Sequence, residues 1–191
     1  MDNEEEPEPK APEEEPPIPQ PPTELRIIGL IGEVDEKKSE DIIYALLMIS
    51  SEGEDDVDMY ISSTGGAALD MFSIYDVMRL TKAKIDISTI GIGKVMSAAV
   101  ILMAAGTKGK RKVAKNCRVM LHTVIAGTHG TLHDLENEME EVKYTQEKYI
   151  EILCKETKLT RAKLKKMFAR NVNVYLSAEE AVEYGIADEV I

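Results

Sequence analysis

A serine, a histidine and a pair of glycines are the residues here whose types and positions suit acyl-transfer chemistry. Ser97 heads the apolar run "SAAVILMAA", between Gly93 and Gly106. A serine hydroxyl is a weak nucleophile by itself. It needs a base to take its proton, a group to orient that base, and N–H donors for the developing oxyanion. The same residue at the same place is also a common helix N-cap, so Ser97 alone leaves cap and nucleophile both open. The chain has three histidines. His122, in "RVMLHTVI", is flanked by apolar residues near a predicted strand end, where it is either a satisfied structural residue or a general base. Gly65 and Gly66, in "ISSTGGAA", fall between a strand and a helix. Such a turn can offer bare N–H groups to an anion, or it can simply be tight. His129 and His133 have the spacing of a helical metal pair, but Gly130 lies between them and no further ligand accompanies them, so no metal is expected. The glycine turn matches neither GxxxxGK[ST] nor GxGxxG, and "GIGKV" at 91–95 is too short for a dinucleotide fingerprint.

These residues need a frame, and the pattern predicts an alternating one. "LRIIGLIGEV" alternates as a strand does, and "SEDIIYALLMISSE" reads as a helix capped by Ser39. "DVDMYISSTGG" is a short strand ending in the glycine turn, "ALDMFSIYDVMRLT" a helix, and "KIDISTIGIG" a strand leading to Ser97 and its helix. "KGKRKVAKNCRVMLHTVI" holds a basic turn and then the strand carrying His122. A long helix follows in "TLHDLENEMEEVKYTQEKYIEILCKETK", and a shorter one, capped by Thr160, in "TRAKLKKMFAR". "SAEEAVEYGIADEVI" closes the chain as a capped helix, a Gly185 C-cap and a strand. Strands alternating with helices predict parallel βαβ units and an α/β fold. In the long helix, Leu132, Leu135, Met139, Val142, Tyr149 and Leu153 form a narrow apolar stripe interrupted by Gln146. Such a stripe covers either the chain's own core or another subunit.

Composition narrows the partners. The 191 residues carry a net charge of −12 and a pI near 4.8, which disfavours nucleic acid and anionic membrane surfaces. The longest apolar run, Ala98 to Ala105, is far shorter than the ~20 residues of a membrane span. The N-terminus has neither the basic nor the apolar region of a secretion signal. Cys117 and Cys154 lack CxxC spacing and read as free thiols in a reducing, cytoplasmic setting. Residues 1–24, acidic and proline-rich, have little to bury and are expected to be a disordered tail that is either merely solvated or a docking arm.

From Leu25 to Ile191 the sequence resembles the proteolytic subunit of the Clp protease, the ClpP serine peptidase family. "YISSTGGAALDMFSIYDVM", "TIGIGKVMSAAVILMAAGTKGKR", "RVMLHTVIAG" and "YLSAEEAVEYGIADEVI" carry the likeness. The resemblance implies a ClpP/crotonase-like ββα superhelix with a protruding long handle helix. It implies Ser97 as nucleophile, His122 as general base, and the backbone N–H groups of Gly66 and Ala98 as the oxyanion donors. Peptides would bind extended beside Val124, Ile125, Ala126 and Gly127. The apolar stripe would become a contact between two stacked heptameric rings, a homo-oligomeric tetradecamer. An AAA+ unfoldase ATPase would deliver unfolded polypeptides. No cofactor is implied.

The sequence departs from the family pattern where the third triad member, an aspartate, is expected. The segment reads "RNVNVYLS". Counting back from "SAEEA" puts Asn173 in that place; matching the family's Arg-Asp pair points instead to Asn171. Either way no carboxylate is there. An asparagine carbonyl can accept from His Nδ1–H and hold the ring, but it cannot stabilise the imidazolium by charge. That exchange costs about 10⁴ in rate in a Ser-His-Asp protease. The expectation is a slow or assembly-dependent serine endopeptidase. The alternative is a weakly active or inactive scaffold subunit that assembles with an active paralogue. Thr64 and Val124 also stand where the family has prolines.

Overall fold

The computed structural model describes residues 26–169 and 173–191, so the expected tail (1–24) and Asn171 lie outside the described residues. The described chain runs β1 (Ile27–Val34), α1 (Glu36–Glu52), β2 (Val57–Gly66), α2 (Ala68–Thr81), β3 (Ile87–Met96) and α3 (Ala98–Ala104). It continues through β4 (Arg111–Val113), β5 (Arg118–Leu121), α4 (Leu132–Glu156), α5 (Arg161–Phe168), β6 (Val174–Leu176), α6 (Ala178–Glu183) and β7 (Glu189–Val190). Strands β1, β2, β3, β4 and β7 lie side by side in that order, all parallel. Parallel neighbours need a crossover, and α1 and α2 supply the first two.

β3 forks the sheet. Its first half, Thr89 to Gly91, pairs with β4, and its second half, Lys94 to Met96, pairs with β5. Between them the β2–β3 register slips by two residues, and Gly93 adopts φ +65°. The "GIG" stretch is therefore a bulge that opens the fork, because glycine reaches a left-handed conformation without steric cost. Past the fork, β5 carries the chain to His122, and β6 returns antiparallel along it.

The core lies between the sheet and the helices. Alternate residues of β2 (Val57, Met59 and Ile61) are fully buried, as are Ile74 and Met78 of α2. All seven residues of α3 are buried. Helix α1 begins earlier than expected. Asp35, not Ser39, is its N-cap, with the Asp35 carboxylate accepting from Lys38 N–H at 2.8 Å. Ser39 is buried and its hydroxyl donates to the Asp70 carbonyl. Aspartate is as good a cap as serine, and the helix-favouring "EKK" that follows it lets the helix start there.

Helix α4 divides its stripe between two environments. Leu132 and Met139 are 68% and 55% exposed, whereas Tyr149 and Leu153 are 4% and 0%. Only the C-terminal half packs on the chain's own core; among the described residues nothing covers the N-terminal half.

Candidate active site

Ser97 joins the end of β3 to the start of α3, with φ +54° and ψ −123°. It is the one non-glycine residue with positive φ among those described. A side chain in that region costs about 1–3 kcal/mol, and it persists only where the surroundings impose it. Here Ser97 N–H donates to the Met120 carbonyl at 2.8 Å, tying the elbow to β5. The Ser97 carbonyl accepts from Val100 N–H at 3.0 Å and from the Tyr149 hydroxyl at 3.4 Å. The buried α3 fixes the other side. The Ser97 hydroxyl makes no capping bond to α3, so the cap reading loses its basis and the side chain is left for the cleft.

The glycine turn packs directly against this elbow. A Cβ on Gly65, whose φ is +86°, would stand 2.6 Å from Ser97 Cβ and 2.8 Å from the Ala98 nitrogen. Gly66, at φ +153°, presses equally on the Val34 backbone. Gly65 thus lies against the first turn of α3, and Gly66 against the end of β1. Ala98 opens that helix, so its N–H has no intrahelical acceptor, and no carbonyl takes it among the described residues.

His122 follows β5 directly and is half-buried. Its Nδ1 bonds to the carbonyl of Thr123. A carbonyl only accepts, so Nδ1 is the donor in that bond, and Nε2 is the ring nitrogen it leaves uncommitted. Asn173 is exposed and immediately precedes β6. The β5–β6 ladder pairs Leu121 with Val174, which sets Asn173 alongside His122. Among the described residues no bond joins the two side chains. Val124, Ile125, Ala126 and Gly127 are not a strand in the isolated chain. β5 closes at Leu121, and beyond it the segment has no partner strand among the described residues. Gln146, the polar break in the α4 stripe, accepts from Val124 N–H at 2.6 Å and moors this segment to α4.

Ser97, Ala98 and His122 share a cleft of about 490 Å³ with Gly65, Gly66 and Ile125. A model of the Clp protease family matches residues 21–191. The chain belongs to the Clp protease family. Its parallel-stranded α/β architecture is accordingly the ClpP fold, and the family is one of serine peptidases. Within this Clp protease domain the cleft gathers the serine, the histidine and both glycines picked out from sequence. His129 and His133 do not line it; His133 is exposed and faces Glu136 at 3.6 Å. Sequence reasoning missed Thr123, Tyr149 and Glu33, which also line the cleft. Only Gln146, visible as a break in an apolar stripe, signalled the tether between α4 and the site.

Proposed function

We propose that this chain is a serine endopeptidase subunit of a self-compartmentalising ring protease. The observation that carries this reading is a strained Ser97, its hydroxyl uncommitted to α3, in one cleft with His122. Ser97 attacks the scissile carbonyl while His122 Nε2 takes its proton. The oxyanion rests on the N–H groups of Gly66 and Ala98. His122 then protonates the leaving amine, and water releases the acyl-enzyme by the same steps. The chemistry needs no metal and no organic cofactor.

Substrate pairs with the segment Val124–Gly127 by strand addition. Gln146 already holds the Val124 N–H. Alternate peptide groups of an extended chain point to opposite sides, which leaves Ile125 and Gly127 to bond the peptide. Recognition of this kind reads backbone first and accepts many sequences. The exposed Leu132, Leu135 and Met139 on α4 support pairing of two heptameric rings through this helix. An AAA+ unfoldase supplies unfolded chains in the cytoplasm, and ATP is consumed only there.

The missing carboxylate favours a second reading, a weakly active scaffold subunit beside an active paralogue. In that reading Asn173, with Asn171 as the other candidate, takes the third place of the triad without a charge to stabilise the imidazolium. Hydrolysis of a short fluorogenic peptide by the sized assembly separates the readings. We expect turnover that Ser97→Ala abolishes and Asn173→Asp raises about ten-fold or more, a fraction of the ~10⁴ a matched aspartate contributes. Absence of turnover in both the native chain and Asn173→Asp establishes the scaffold reading instead.

A further inference from the structure

Strands β1 and β2 do not keep one register along their length. The register shifts between Ile31 and Glu33, and Gly32 sits at the shift with φ +94°. β1 advances two residues there against three on β2, so the extra residue lies in β2 and the alternation of β1 keeps its phase. Ile28, Leu30 and Val34 are buried and Ile27, Gly29, Ile31 and Glu33 exposed, so Glu33 keeps the exposed side of the strand, and only Gly32, at the shift, departs from the alternation. Beyond the bulge Glu33 pairs with Gly65 and Val34 with Gly66, one strand away from the glycine turn. Glu33 thereby lines the cleft that holds Ser97 and His122.

The charge of that cleft is one-sided. Of its lining residues only Glu33 carries a carboxylate, and none is a lysine or arginine. Glu33 has no ion-pair partner among the described residues. The nearby wall, Ala67, Ala68 and Met71, is apolar. A lysine or arginine can lay its aliphatic stem on such a wall and carry its cation to the rim. An acidic side chain there meets a like charge.

The geometry points to Glu33 as a specificity residue that favours a basic side chain next to the scissile bond and disfavours an acidic one. The inference rests on the peptidase reading above, and it names the substrate class for that same cleft. Its pairing with Gly65 places Glu33 beside the glycine turn, so the side chain read is that of a residue flanking the bond cut, on one side or the other.

The test uses the assembled full chain and fluorogenic peptides that differ at one residue, Lys, Gln or Glu, placed on either side of the scissile bond. We expect kcat/KM for Lys to exceed that for Glu about ten-fold at low salt. The ratio should shrink in 0.5 M salt, where the Debye length falls to a few ångströms, on the order of 4 Å. Glu33→Gln should bring it within about two-fold, and Glu33→Lys should invert it. Turnover of the Gln peptide, and its loss in Ser97→Ala, reads the peptidase activity separately. If that turnover is present while the Lys-to-Glu ratio is near one, or survives Glu33→Gln, the inference is overturned and the peptidase reading stands. If no peptide turns over, affinities of the Lys and Glu peptides for the Ser97→Ala assembly read the same preference, and equal affinities overturn it.

Discussion

At the C-terminal end of α3 four consecutive carbonyls each meet a side-chain donor. Thr89 donates to Met103 at 2.8 Å, Arg111 to Ala104 at 3.2 Å, and Lys82 to Ala105 and Gly106 at 2.5 and 3.2 Å. At the N-terminal end of the same helix, Ser97 bonds nothing with its hydroxyl as a cap and holds a left-handed backbone. A helix leaves unsatisfied groups at both ends. This one has the carbonyl end saturated and the amide end left open to the cleft. The difference separates scaffold from site: polar groups bonded to completion hold α3 still, and the strain and free donors at the other end are what a developing oxyanion can use.

The saturated end has a centre. The Arg111 side chain is 4% exposed, forks onto Asp188, and donates to the carbonyls of Glu156 and Gly185 at 2.9 and 2.8 Å. Glu156, itself buried, accepts from the Tyr75 hydroxyl at 2.7 Å and faces Arg79 and Lys108. Arg111 thus joins the ends of α3, α4 and α6. Arg111→Met should produce the largest stability change at this end, a loss of about 3–5 kcal/mol in urea unfolding, because it leaves buried carbonyls and a carboxylate without their cation. A loss below about 1 kcal/mol would erase the contrast between the two ends.

At the open end the sign reverses. Ser97→Gly relieves strain worth about 1–3 kcal/mol, against a glycine entropy cost of about 0.5–1 kcal/mol. We expect a net gain of about 1 kcal/mol in urea unfolding, with peptidase activity lost. Destabilisation by this substitution would show that the elbow is relaxed. A smaller effect comes with acid. Burial pushes the Asp188 carboxyl up, but its bonds to Arg111 and to the Gly109 and Arg111 amides outweigh that and hold it below the ordinary 3.8. Below that ordinary value the unfolded chain binds the proton that the folded chain refuses, so stability falls as pH drops toward the depressed value. Asp188→Asn should flatten this acid limb, measured as the change in urea midpoint between neutral pH and pH 3.5.

How far sequence carried depended on how local each cause was. Helix α2 runs over "ALDMFSIYDVMRLT" as its apolar spacing predicts, and Ser177 and Thr160 cap their helices as expected. These signals lie within a few residues. Arg111 sat in what read as a basic turn, yet it is buried in β4, because its partner Asp188 lies 77 residues away. β6, three residues long, gave no periodicity to detect, although its pairing with β5 is what sets Asn173 beside His122. Of the residues that line the cleft, Ser97, His122 and the glycines were legible in the sequence, because their types are restricted by chemistry and by close approach. Glu33 was invisible because its place at the cleft depends on the pairing of β1 with the distant Gly65, and Thr123 because its contact with His122 is through a backbone carbonyl that any residue supplies.

The central claim is that Ser97 is activated by His122 at an elbow the fold keeps strained. The most direct measurement is covalent labelling of the assembled chain with a fluorophosphonate, with the modified residue located by mass spectrometry. The account predicts labelling at Ser97 that falls at least about 100-fold in His122→Ala, the scale of one general base. Labelling absent from Ser97, or unchanged in His122→Ala, would contradict it.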